Sequence, residues 1–225
     1  MLGVRAPKRT SPFTEIDAIY RHILSQAEDW DGVMDVVAGR HMLLSTPNGT
    51  FIDLISPERD EKSDLCTILA LLGYSRNDIE SCVADLTALF RIDRVAFDLQ
   101  LYHKSLLDFL FDPTRAGTFY IDKNEMACKF AVAHFKQMSD FASIFFGFMV
   151  LYHVTQPDTA VTTALQSFLP KTTGERRSNG TLLDHIASQF IAEFERLYSK
   201  SNAELSASIR TRWITWFRES AVHIP

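Results

Sequence analysis

A mainly α fold, with a winged-helix unit carrying one short β-hairpin and a helical bundle after it, follows from three observations on this 225-residue chain. Apolar residues recur at helical spacing along most of its length. One stretch, Arg91 to His103, switches to period two, with Val95, Phe97, Leu99 and Leu101 alternating with Ala96, Asp98, Gln100 and Tyr102. Seventeen Phe point to a core packed largely by aromatic rings.

The elements follow in order. Ser11-Pro12 supplies an N-cap and a first-turn proline, and Ile16, Ile19, Tyr20, Ile23 and Leu24 share one face of the helix it opens. A second helix is expected from Asp31 to Leu44, ended by the turn cluster Thr46-Pro47-Asn48-Gly49. Phe51 to Leu54 reads as a brief extended piece. Ser56-Pro57 opens a segment with Leu65, Ile68, Leu69 and Leu72 at helical spacing, and Gly73 stops it. Ser75 and Asp78 have capping-box spacing, with Asp in the place of Glu or Gln, and start a helix from Ser75 to Phe90. The hairpin comes next. Two helices, a tight turn and a hairpin are the order of a winged helix. Beyond it, helices are expected over Asn124–Met138, Phe141–Val154, Asp158–Phe168, Thr181–Tyr198 and Ala203–Arg218. The polar stretch between Pro170 and Gly180 reads as a loop. The resulting division is a helical lead-in over 1–57, a winged-helix-like unit over 58–122 and a bundle over 123–225.

Composition narrows the function classes. A chain of 25.6 kDa, 46% hydrophobic and 23% charged, has the make-up of a soluble globular protein with one good core or two small ones. Its net charge of −5 offers no footprint for nucleic acid or an anionic membrane. Cys66, Cys82 and Cys128 form no C-x-x-C pair, lie in apolar helical patterns and read as buried thiols, which favours an intracellular, cytoplasmic setting. The opening residues lack the apolar stretch of a signal peptide. The longest apolar run, Phe141 to Val154, is shorter than the ~20 residues a bilayer requires and reads as a core helix.

Motifs of phosphate, metal and hydrolase chemistry are missing. There is no G-x-x-x-x-G-K-[ST], no H-E-x-x-H, no G-x-S-x-G and no paired Cys/His set, so no catalytic or metal-ligating residue is assigned. Asp112 to Lys123 begins like a calcium loop but has Ala116 and Lys123 at ligand positions. The helix expected over Ser75–Phe90 sets Arg76 against Asp78, Glu80 and Asp85, a negative face poorly suited to the major groove. A protein-contact or DNA-binding role for an acidic winged helix stays open as the alternative reading.

Residues Leu101 to Asp122, LYHKSLLDFLFDPTRAGTFYID, carry a resemblance. They are similar to a segment of fungal NACHT-type signalling NTPases of the STAND group, lying just after the nucleotide-binding domain. That segment ends a strand in Leu-His and continues through S-x-x-D-F-L and D-P-x-R-x-G-x-F-Y-I-D. Ser11 to Ser25 resembles the P-F-x-E-L-D-x-L-Y-x-x-I-L helix of the same proteins, and Leu69 to Leu89 resembles their L-L-G-x-x-x-x-D-V-x-x-x-L-x-D-L-x-S-L stretch. The resemblance spans about Ser11 to Met138.

The resemblance implies a non-catalytic regulatory region of a nucleotide switch, expected to be a partial or truncated protein. ADP or ATP would be bound only when the region is joined to a NACHT ATPase core. The implied mechanism is exchange of ADP for ATP, release of the winged helix and oligomerisation, with a NACHT domain or other proteins as partners. His103 stands where related proteins have a Met-His-Asp motif whose histidine contacts the β-phosphate of ADP, although Lys104 replaces the aspartate. His103 is therefore the nucleotide-sensing candidate. The other reading makes it a hairpin-end histidine bonded to a neighbouring carbonyl. Asp108 and Arg115 are interface candidates; a local salt bridge among Asp108, Asp112 and Arg115 is the structural alternative.

Overall fold

Side-chain caps open several helices of this chain, and a computed structural model of the protein describes residues 13–46, 64–137, 144–167, 180–200 and 203–219. The cap of α1 (Thr14–Leu24) expected from Ser11-Pro12 lies outside the described residues, as do Phe51–Leu54, Ser56-Pro57, Pro47 to Gly49 and the loop at 171–179. Asp29 accepts from the Gly32 amide at 2.9 Å and opens α2 (Trp30–Ser45). The third helix, α3 (Asp64–Ala70), ends before Gly73, which sits at φ +90°. The capping box read from Ser75 and Asp78 is formed in both directions, at 3.3 and 2.8 Å, and starts α4 (Arg76–Cys82).

The helix expected over Ser75–Phe90 is shorter than the sequence suggests. It stops at Cys82, and a 3₁₀ turn covers Ala84–Leu86. The apolar positions carry on across the break, with Val83, Leu86, Leu89 and Phe90 all buried.

Strands β1 (Phe90–Asp93) and β2 (Asp98–Leu101) pair antiparallel, with Phe90 opposite Leu101 and Ile92 opposite Leu99. The Asp93 carboxylate accepts from the amides of Val95 and Ala96 and shapes the tip. Phe97 is the one described non-glycine residue at positive φ, 47°. Its ring is buried, with the Arg76 guanidinium 4.1 Å from the ring centroid. Burial and the stacked cation offset the strain of that backbone.

After the hairpin come α5 (Ser105–Leu110), α6 (Pro113–Ala116), a 3₁₀ turn at Gly117–Phe119, α7 (Lys123–Gln137), α8 (Ile144–His153), α9 (Thr159–Ser167), α10 (Gly180–Tyr198) and α11 (Ala203–Glu219). Among the described residues the fold is mainly helical with one two-stranded sheet, as the periodicity predicts. None of the described helices is long and apolar enough to cross a membrane.

Packing shows what each part rests on. In the bundle, α8 lies against α7 and α10, α9 against α7, and α11 against α10. Phe135, Phe190 and Trp213 meet there, with Phe190 and Trp213 centroids 4.5 Å apart. Arg196 of α10 donates to the carbonyls of Leu151 and Val154 at 3.0 and 2.9 Å and so caps the C-terminal end of α8. The front of the molecule is organised by α2, which touches α3, α4 and β2 on one side and α7 and α8 on the other. This helix, which the sequence division placed in the lead-in, packs against the hairpin group and against the bundle. The buried residues form one continuous core.

Candidate functional site

The three candidate residues all fall in the segment from β2 to α6, and that segment is latched to α1. The latch is built from polar groups on one face of α1. Asp17 is buried, and its carboxylate takes the Arg115 guanidinium in a two-pronged bridge, Nη2 to Oδ1 at 2.7 Å and Nε to Oδ2 at 3.1 Å. These residues are 98 apart in sequence. The Arg115 guanidinium also lies 4.6 Å from the Phe13 ring centroid, and Arg21 donates to the Arg115 carbonyl. Asp17 beside it raises the Arg115 pKa further. The local bridge of Arg115 with Asp108 and Asp112 is therefore not formed. Asp112 is occupied elsewhere: it caps α6 by accepting from the Thr114 hydroxyl and amide, which hold its carboxyl below the usual range. Asp108 is exposed on α5 and makes no hydrogen bond or ion pair among the described residues.

The rest of the segment is explained by packing and turns. Phe109 and Leu110 are fully buried, with Phe109 5.4 Å from Tyr20 by ring centroids. Gly117 adopts φ +60°, ψ −120°, a conformation that a side chain strains. Phe119 meets Trp30 edge-on at 5.1 Å. Buried Ile121 returns its amide to the Leu110 carbonyl at 2.8 Å, and Asp122 caps α7 through the amides of Asn124 and Glu125.

His103 stands at the rim of this latch. Its Nδ1 accepts from the Ser105 amide at 3.2 Å and lies 2.6 Å from the Ser105 hydroxyl. The buried Tyr20 hydroxyl is 2.7 Å from that same hydroxyl and 3.4 Å from Nδ1. The neighbour expected to be a carbonyl is thus an amide and two hydroxyls, and the imidazole accepts where it was expected to donate. The residue is exposed, and its Nε2 makes no hydrogen bond among the described residues.

Two further polar groups lie outside the sequence reading. Asp35 is buried on α2, with its carboxylate held by Lys129 of α7 at 2.6 and 2.8 Å and by the Tyr74 hydroxyl at 2.9 Å. Burial and the Asp35 carboxylate push the Tyr74 pKa upward. The signal was legible: Asp35 interrupts the apolar run Val33-Met34-Asp35-Val36-Val37, and a charge there demands a partner. His41 and His153 meet at the ends of α2 and α8, 6.3 Å apart by ring centroids. His153 Nε2 lies 3.1 Å from the Met42 carbonyl and 3.0 Å from the Thr46 hydroxyl.

No group of three or more metal-binding side chains occurs among the described residues. On the acidic α4 face, the guanidinium of Arg76 is spent on Phe97 and on the Arg94 carbonyl at 3.1 Å, which leaves little for a phosphate backbone. Of the three thiols expected to be buried, Cys128 is, whereas Cys66 and Cys82 are half-buried, and none forms a disulfide. No family model matches the sequence, and no curated protein or solved structure matches it.

Proposed function

We propose that this chain is a non-catalytic regulatory and interaction region of a NACHT-type signalling NTPase, in which His103 reads the nucleotide held by an ATPase core. One observation carries the reading. The two segments that bear the strongest resemblance, 13–25 within the first and 101–122, are separated by most of a domain in sequence, yet they bind each other through Asp17–Arg115 and Tyr20–Ser105–His103. That latch holds His103 at the surface with one ring nitrogen unclaimed, the position of a group awaiting a ligand from outside. The absence of a phosphate-binding loop in the sequence fits a region that borrows its nucleotide from a neighbour. On this reading the protein works in the cytoplasm, with an ATPase domain and further protein partners.

The test begins upstream of the Met1 codon in the native transcript. An in-frame G-x-x-x-x-G-K-[ST] supports the reading; a stop codon in its place sinks it. In the protein that carries such a core, His103→Ala is expected to lower ADP retention about tenfold, the equivalent of one charge-assisted hydrogen bond. Unchanged retention removes His103 from the nucleotide.

A further inference from the structure

We infer that Tyr20 and Ser105 are positioning residues for His103: they hold the imidazole with its proton on Nε2, so that its outward edge is a hydrogen-bond donor toward an anionic oxygen. A backbone N–H can only donate. The Ser105 amide at 3.2 Å from Nδ1 therefore requires a lone pair there, which leaves the ring proton on Nε2. That amide belongs to the first turn of α5 and has no intrahelical acceptor, so Nδ1 is its natural partner. With Nδ1 accepting, the Ser105 hydroxyl at 2.6 Å donates to it, and the Tyr20 hydroxyl at 2.7 Å donates to Ser105. The buried Tyr20 hydroxyl has its outlet in this relay. The reverse order fails, because a proton on Nδ1 would face the amide hydrogen. An edge set in this way donates to phosphate-type or carboxylate oxygens. It disfavours a metal ion, which needs the lone pair on Nε2.

The use of this donor for a nucleotide rests on the function proposed above; the tautomer itself does not. The experiment is a long-range ¹H–¹⁵N correlation spectrum of the full chain, labelled at histidine and recorded above the pH range in which free imidazole takes a second proton. His103 is expected to give the Nε2–H pattern with no resolved Nδ1–H form. In Ser105→Ala and in Tyr20→Phe, which keeps its ring against Phe109, the Nδ1–H form is expected to gain roughly fivefold, the equilibrium value of one hydrogen bond. An Nδ1–H wild type overturns the inference, and an unchanged ratio in both variants removes the positioning role. If the tautomer is as inferred but His103→Ala leaves ADP retention unchanged, the relay stands and the nucleotide reading alone falls.

Discussion

At the scale of single residues, Arg115 and Asp17 form a pair whose geometry decides its strength. Both side chains are mostly buried, at 17% and 7% exposure, and two parallel hydrogen bonds join them. Removing one member strands the other's charge, so Arg115→Ala is expected to cost about 3 kcal/mol. Urea melts should read that loss, and hydrogen exchange should show α1 losing protection before the bundle does. His103→Ala removes, at an exposed site, the acceptor of one helix-end amide and of the Ser105 hydroxyl, which can turn to solvent. Its cost should be about 1 kcal/mol in the same melts, with the fold retained. The sequence placed Arg115 in a motif but could not name its partner, because local spacing offers Asp108 and Asp112 first. Asp112 proves the better helix cap, and Asp17 is delivered by packing from another part of the chain.

Among elements, the interior of the helix–helix–hairpin group depends on Leu86, which is fully buried in its 3₁₀ turn. Leu86→Asp is expected to unfold this group, since an unpaired carboxylate there costs several kcal/mol; loss of the cooperative thermal transition would be the sign. A second dependence joins α2 to α7. Lys129→Ala leaves the Asp35 carboxylate buried with Tyr74 alone, and a loss of about 3 kcal/mol in urea melts is expected. Periodicity and caps marked most elements within a few residues: the capping box at Ser75, the hairpin, and the long helices from Lys123 onward. The break at Cys82 was not legible. Ile79, Val83, Leu86 and Phe90 continue at helical spacing through Cys82, so the apolar pattern marks no stop there. The role of α2 as the shared wall of front and bundle was hidden for a related reason. It is apolar on nearly all sides, with Val33, Val36, Val37, Ala38 and Met42 buried, so its pattern names no single face.

For the molecule as a whole, the join between front and bundle contains a proton-sensitive pair. Burial, followed by Lys123 and His153, lowers the His41 pKa from its ordinary 6.5 to about 4. Burial also lowers His153, partly opposed by the Met42 carbonyl and aided by Lys123. The groups facing these rings among the described residues are Lys123, whose ammonium sits over Phe111, and the hydroxyls of Ser45 and Thr46. No carboxylate is among the groups that shift either ring. The unfolded chain takes up its protons near pH 6.5, whereas the folded chain keeps His41 neutral to about 4. The stability this provides is complete above pH 6.5 and is lost as pH falls through that window. Both rings are only partly buried, so the loss should be on the order of 1–2 kcal/mol. Urea midpoints measured across the window should fall with pH, and His41→Phe should flatten the slope.

The latch between α1 and Arg115 also has a consequence in time. Chains grow at roughly 5–20 residues per second, so Asp17 leaves the ribosome roughly 5–20 s before the arginine 98 positions later that neutralises it. Throughout that interval α1 carries a carboxylate and the Tyr20 hydroxyl with nothing to bind, and an eleven-residue helix is marginal in water without its packing partners. The first described helix to be made is thus among the last to be secured. Synthesis of the front of the molecule is complete only when the Pro113–Ala116 turn appears and closes back onto α1.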